Sequence, residues 1–117
     1  MDLVEMERVA TLDAMHRDRC ERFLAAAELA GANRLEGARR VRYLAGRFAV
    51  KEAFVKAVGG PAGVEPRDIG CVDGPAGQPR LDLGASARTA LERSGCSDGA
   101  VTVSHGAGMA IAAVFLY

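Results

Sequence analysis

The chain has 117 residues, enough for one domain with a real core and too few for two ordinary ones. Fifteen Lys and Arg balance fifteen Asp and Glu, and half of the residues are hydrophobic. A zero net charge argues against a protein that lives by neutralising nucleic-acid phosphates. The longest apolar run, Met109 to Tyr117, is about half the ~20 residues a spanning helix needs, so no membrane role is expected. The start, Met1-Asp2-Leu3-Val4-Glu5, places an acid where a signal peptide has cations. Cys20, Cys71 and Cys96 show no metal-ligand spacing and read as reduced thiols, which points to a cytoplasmic protein.

Leu3–Val4 is either extended or the start of a helix. From Glu5 to Ala30 the apolar spacing is helical, with Met6, Val9, Leu12, Phe23, Leu24 and Ala27, and His16-Arg17-Asp18-Arg19 marks a break inside it. Gly31 and Asn33 close that region. A second helix is predicted over Arg39–Val58, stopped by Gly59-Gly60-Pro61. Short strand-like runs at Asp68–Val72 and Pro79–Leu83 flank the turn-rich Asp73–Gln78 and predict a hairpin. A modest helix over Ala85–Ser94 follows. Ala100–Ser104 and Met109–Leu116 predict a closing hairpin. The expected fold is a single α+β domain over residues 1–117, with helices packed on an antiparallel sheet.

Charge gathers between positions 34 and 56, where Arg34, Arg39, Arg40, Arg42, Arg47, Lys51 and Lys56 face only Glu36 and Glu52. Lys51 and Lys56 are the only lysines in the chain. On a helical projection Val41, Leu44, Ala45, Phe48 and Val55 form one stripe, which reads as the core face. Glu52 falls in the middle of it, with Lys56 one turn on at its edge and Arg47 and Lys51 on its flank. A surface Glu–Lys pair contributes only ~0.3–0.5 kcal/mol, whereas an uncompensated carboxylate on a buried face costs several kcal/mol. Glu52 should therefore meet a cation: Lys56, a metal ion, or both. Mg²⁺ takes one or two protein carboxylates with phosphate oxygens and water, and the cationic flank suits a polyphosphate. Residue chemistry thus reaches a magnesium and phosphate site, and no further.

The run Tyr43-Leu44-Ala45-Gly46-Arg47-Phe48-Ala49-Val50-Lys51-Glu52-Ala53-Phe54-Val55-Lys56-Ala57 resembles the signature of holo-acyl-carrier-protein synthases, small 4'-phosphopantetheinyl transferases. Asp2-Leu3-Val4-Glu5-Met6-Glu7-Arg8-Val9 resembles that family's first acidic motif, Gly77-Gln78-Pro79 its Gly-x-Pro hairpin, and Val103-Ser104-His105 its Ser-His motif. The four pieces occur in family order and span nearly the whole chain. The resemblance implies transfer of phosphopantetheine from coenzyme A to a serine of apo-acyl carrier protein, releasing adenosine 3',5'-bisphosphate. It implies Asp2 and Glu52 as ligands of Mg²⁺, and Lys56 as the group that neutralises the phosphates and protonates the leaving group. Glu52, or a water on the metal held by Asp2, would take the serine proton. Arg47 and Lys51 would lie near the phosphates, while Gly77, Pro79, Ser104 and His105 would line the coenzyme A pocket. Arg8, Arg17 and Arg22 would face the acidic carrier protein, and three subunits would share their active sites. The family has a short strand before its first acid; here only Met1 precedes Asp2, so Asp2 is expected to be weakly anchored. Gly106 follows the histidine where the family commonly has a polar residue. A catalytically idle module binding coenzyme A or the carrier protein is the alternative function.

Overall fold

The structure is a computed structural model describing residues 1–117. Strand β1 (Asp2–Glu5) leads into three short helices, α1 (Met6–Met15), α2 (Arg17–Arg22) and α3 (Ala26–Asn33). The long helix α4 (Gly37–Ala57) follows, then a 3-10 turn at Pro66–Asp68. Strands β2 (Ile69–Asp73) and β3 (Pro79–Leu83), helix α5 (Ala85–Arg93), and strands β4 (Gly99–Gly106) and β5 (Met109–Leu116) complete the chain. Every long element expected from the sequence is present, and the α+β class with an antiparallel sheet is what forms. The predicted break at His16 falls between α1 and α2, and a second break at Phe23–Ala25, which the sequence reading did not anticipate, separates α2 from α3. Leu3–Val4 is resolved as strand, and Asp68 belongs to the 3-10 turn rather than to β2.

β1, β5 and β4 form an antiparallel sheet in the order β1-β5-β4, and β2 and β3 form a separate hairpin. Asp2 pairs with Ala112 and Val4 with Ala110, while Val103 and His105 pair with the same two alanines from the other side. Asp2 is therefore fixed in a strand at the edge of the sheet, which corrects the expectation that it is weakly anchored.

Helix α4 lies on the inner face of that sheet and joins two apolar clusters. Ala49, Val50, Ala53 and Phe54 pack with Ile69, Cys71, Ala87, Ala112 and Val114. Leu44 and Ala45 pack with Val9, Leu24, Ala32 and Ala110. Small residues on both sides, Ala45, Gly46, Ala49 and Ala53 on the helix and Ala110 and Ala112 on β5, let the two backbones approach closely. At Gly46 a β-carbon would sit 3.2 Å from His105 Nε2 and 3.3 Å from Val103, so glycine there makes room for the strand.

The stripe that reads as core is not the whole core face. Arg40, Leu44, Lys51 and Phe54 are buried, whereas Val41, Phe48 and Val55 are only half-buried and Glu52 is exposed. Arg40 is held by Asp13, which accepts from Nε at 2.8 Å and from Nη2 at 3.0 Å, and by the Ala32 carbonyl at 3.1 Å. This fork ties α1, α3 and α4 together, and the hydrogen bond from Arg40 holds the Asp13 carboxyl below its ordinary range.

Asp13→Asn should cost about 3 kcal/mol at pH 7, because it leaves a buried guanidinium short of its counter-ion. A depressed carboxylate pKa stabilises the fold above the unfolded value, and that gain is lost as pH falls through the folded one. The difference between wild type and variant should thus be constant near neutrality and shrink progressively below about pH 4, as followed by urea unfolding at a series of pH values.

Candidate active site

Asp2 and Lys56 are 54 positions apart in sequence and meet where the C-terminal turns of α4 cross β1. Lys56 Nζ donates to Asp2 Oδ1 at 2.5 Å. The Asp2 side chain is only 14% exposed and that of Lys56 is 59% exposed, so the carboxylate is built into the sheet edge while the ammonium reaches it from solvent. The Asp2 hydrogen bond and charge, with a contribution from Glu52, raise the Lys56 pKa above its ordinary value. Lys56 stays an ammonium at neutral pH and lies between two carboxylates.

Glu52 makes no hydrogen bond or ion pair of its own. It stands on the rim of a cleft of about 230 Å³ lined by Leu12, Phe23, Phe48, Lys51, Val55, Pro66 and Ile69. Phe23 and Phe48 meet edge to face, with ring centroids 6.4 Å apart, and form part of its apolar wall. The expectation that Glu52 sits on a buried face is corrected here. Phe48 and Val55 line this cleft while also packing on the margin of the core, Val41 packs on the core alone, and Glu52 reaches water at the cleft's edge. Its charge needs no internal compensation.

The buried charge is Lys51 instead. Its ammonium donates to Glu28 Oε1 at 2.6 Å, to the Ile69 carbonyl at 2.7 Å and to the Pro66 carbonyl at 3.0 Å. All three donors are used and the residue is buried, so Lys51 does not reach a phosphate; that expectation is corrected. Burial lowers its pKa and Glu28 partly restores it. Sequence reasoning missed Glu28, although a signal was present. A glutamate three residues into a helix that reaches back to the backbone N–H before it is half of a capping box, and Glu28 Oε1 accepts from the Ala25 N–H at 2.9 Å.

Arg47 lies two turns before Phe54 on the same buried side, its side chain 13% exposed. Its guanidinium carbon is 4.1 Å from the centre of the Tyr43 ring, which is cation–π distance. Asp73, an exposed residue at the end of β2, is 3.8 Å away, and Nε is buried without any hydrogen-bond partner. His105 faces the same stretch of helix, with Nε2 3.0 Å from the Arg42 carbonyl. Pro79 is the register partner of Asp73, and Gly77 takes the left-handed conformation, φ 81°, that its turn requires. Ser104 is separated from His105 by strand alternation and lies on the outer face of the sheet with Leu3 and Ile111.

The structure thus brings Asp2, Glu52 and Lys56 together at one end of α4, and Arg47, His105 and the β2–β3 hairpin toward the other. Arg8, Arg17 and Arg22 are all exposed. Arg8 lines an open groove of about 630 Å³ between α1 and Phe48, and Arg17 pairs with Glu21 at 3.3 Å.

Residues 1–112 match the 4'-phosphopantetheinyl transferase superfamily. A holo-[acyl-carrier-protein] synthase of Nitratidesulfovibrio vulgaris is 40% identical, over 99% of this chain and 94% of that protein. The chain belongs to the 4'-phosphopantetheinyl transferase superfamily. One of Anaeromyxobacter sp. (strain K) is also 40% identical, over 99% and 91%. Among solved structures, the holo-[acyl-carrier-protein] synthase of Neisseria meningitidis superposes with a TM-score of 0.88 at 31% identity, covering 99% of this chain and 94% of that one. The Helicobacter pylori enzyme, solved in complex with coenzyme A, gives 0.81 at 26% identity, with 99% and 96% covered. The enzyme class follows from the family: a transferase of 4'-phosphopantetheine.

The two neighbours on α4 should separate cleanly in stability measurements. Glu52→Gln should change the unfolding free energy by less than about 0.5 kcal/mol, as expected of an exposed site. Lys51→Met should cost about 3–5 kcal/mol, since it strands the buried Glu28 carboxylate.

Proposed function

We propose that this enzyme transfers 4'-phosphopantetheine from coenzyme A to a serine of apo-acyl carrier protein, with Mg²⁺ as cofactor, and releases adenosine 3',5'-bisphosphate. The observation that carries the reading is the Asp2–Lys56 pair one helical turn from Glu52, itself on the rim of a cleft, in a chain of this family. Asp2 and Glu52 would hold the metal. The donor set fits, because Mg²⁺ needs only one or two carboxylates when phosphate oxygens and water complete its shell, and no third acid, histidine or cysteine gathers there. Bound there, the ion would offset the negative charge of the diphosphate.

In the reaction the serine oxygen forms a bond to the β-phosphorus of coenzyme A, and the bond from that phosphorus to the bridging oxygen breaks. The Lys56 ammonium lies where it can neutralise the phosphates and give a proton to the departing oxygen. Glu52, exposed and free of partners, can accept the serine proton. Arg47 is the residue for a further phosphate of the nucleotide. A guanidinium largely withdrawn from water, with Nε unpartnered and its only carboxylate 3.8 Å away, lacks the hydrogen bonds that burial demands. His105 and the turn at Gly77 to Pro79 would border that phosphate's pocket. Arg8, Arg17 and Arg22 would attract the acidic carrier, an encounter that salt should slow.

The test is mass spectrometry of an apo-acyl carrier protein incubated with the enzyme, coenzyme A and Mg²⁺. A gain of the phosphopantetheine mass on the carrier serine is expected, and Glu52→Gln should lower the rate by at least about 100-fold while remaining folded. Binding of coenzyme A with no mass gained would instead mark an idle binding module, and full turnover by Glu52→Gln would overturn the role of that residue.

A homotrimer with shared sites is part of the same reading, in the cytoplasm where the thiols would stay reduced. Leu3, Ile111 and Phe115 are exposed on the outer face of the sheet, Phe115 at 65%. Ser104 lies on that face, so it can line a nucleotide pocket only against a neighbouring copy. Phe115→Arg should therefore shift the protein from trimer to monomer in light scattering coupled to gel filtration, with transfer falling in parallel.

A further inference from the structure

Glu28 and Lys51 form a buried ion pair whose hydrogen bonds are all made inside the molecule, and Lys51 borders the cleft beside Glu52. The three donors of Lys51 meet Glu28 Oε1, the Pro66 carbonyl and the Ile69 carbonyl. Glu28 Oε1 also accepts from the Ala25 N–H at 2.9 Å, and Oε2 accepts from the Cys71 N–H at 3.0 Å. One buried ion pair therefore joins the α2–α3 connection, α3, α4, the 3-10 turn and β2.

Those same segments are the walls of the cleft beside Glu52. Phe23 stands two residues before Ala25, Pro66 and Ile69 are themselves lining residues, and Phe48, Glu52 and Val55 come from α4. The Glu52 side chain has no hydrogen bond of its own, and Lys51, the residue before it, is the polar tie between its helix and the opposite wall. Stability alone does not call for charge here, because well-packed apolar residues of similar volume often serve a buried site as well or better. What five directed hydrogen bonds add to the apolar packing of α4 on Ile69 and Cys71 is a directional constraint on the spacing of these segments.

We propose that the Glu28–Lys51 pair is a positioning pair for phosphopantetheine transfer, holding the walls of the cleft at a set distance from the Glu52 carboxylate. The inference rests on the transferase reading above and assigns Lys51 a role that contacts no substrate. Arg47, Lys56 and His105 make no hydrogen bond to the pair, so the cost of losing it should fall on the chemical step at Glu52 and not on capture of the nucleotide.

The experiment is a double variant, Glu28→Leu with Lys51→Met, which removes both charges together and leaves neither stranded. The Ala25 and Cys71 N–H groups and the Pro66 and Ile69 carbonyls lose these partners, so the variant should unfold below the wild-type temperature while remaining folded under assay conditions. Its kcat per folded molecule should fall about 10- to 100-fold, the scale expected when reacting groups are misplaced by about 1 Å, with the KM for coenzyme A within about threefold of wild type. Amide hydrogen exchange should quicken at Phe23–Ala25 and at Ile69–Cys71 while remaining unchanged in β4 and β5. The proposal requires both results; an unchanged kcat, or a lowered kcat with exchange unaltered, overturns it. Should the double variant not fold, Lys51→Arg keeps the charge against Glu28 but cannot reproduce the three-point contact, and wild-type kcat per folded molecule in that variant overturns the proposal equally. Absence of transfer by the wild-type protein would refute the transferase reading itself, whereas transfer by wild type and double variant alike would refute only the positioning role.

Discussion

Charge taken out of water must be met by opposite charge and by hydrogen bonds, and helix α4 turns three cations toward the interior. Arg40, Arg47 and Lys51 fall within about 40° of one another on the helical projection. Arg40 is answered by Asp13 from α1 and Lys51 by Glu28 from α3. These two ion pairs, with the apolar contacts of Val9, Leu24 and Ala32, hold the short N-terminal helices onto the long one. Arg47 is answered incompletely. The architecture thus depends on ionic pairing along one side of α4 as much as on the alanine-lined contact along the other.

The same arrangement separates structural from chemical charge. Cations buried on the inward stripe have their donors spent inside the molecule, except at Arg47. Lys56 is turned the other way, toward the sheet edge, and holds Asp2 with an ammonium that solvent and ligands can still reach. Glu52 lies between the two regimes, next to a buried lysine in sequence and open to water in space. A carboxylate so placed can keep its charge without cost to the fold and offer it to a ligand.

Much of the site was legible because its residues lie within one helical segment. The spacing of Glu52 and Lys56 suggested a pair, which the structure replaces with Lys56–Asp2, whereas the motifs at Asp2, Gly77 and Ser104-His105 pointed to a family that residues 1–112 match. The periodicity was less informative about direction. Phe48 and Val55 sit where the core margin meets a cleft, and a helical projection cannot distinguish a cleft from a core, since both reward the same side chains. Glu28 and Asp13 were illegible as partners of Lys51 and Arg40, being 23 and 27 positions away.

Element order, the α+β class and the family were all legible in the sequence. These follow from local propensity, turn chemistry and motif spacing, each a property of a few consecutive residues. Tertiary folding settled which lysine is buried and which is exposed, and that His105 rather than Ser104 faces α4. Those outcomes depend on how α4 is rotated against the sheet and on which acids from distant helices reach it. Rotation about the helix axis is set by the sum of long-range contacts, and no local pattern contains that sum.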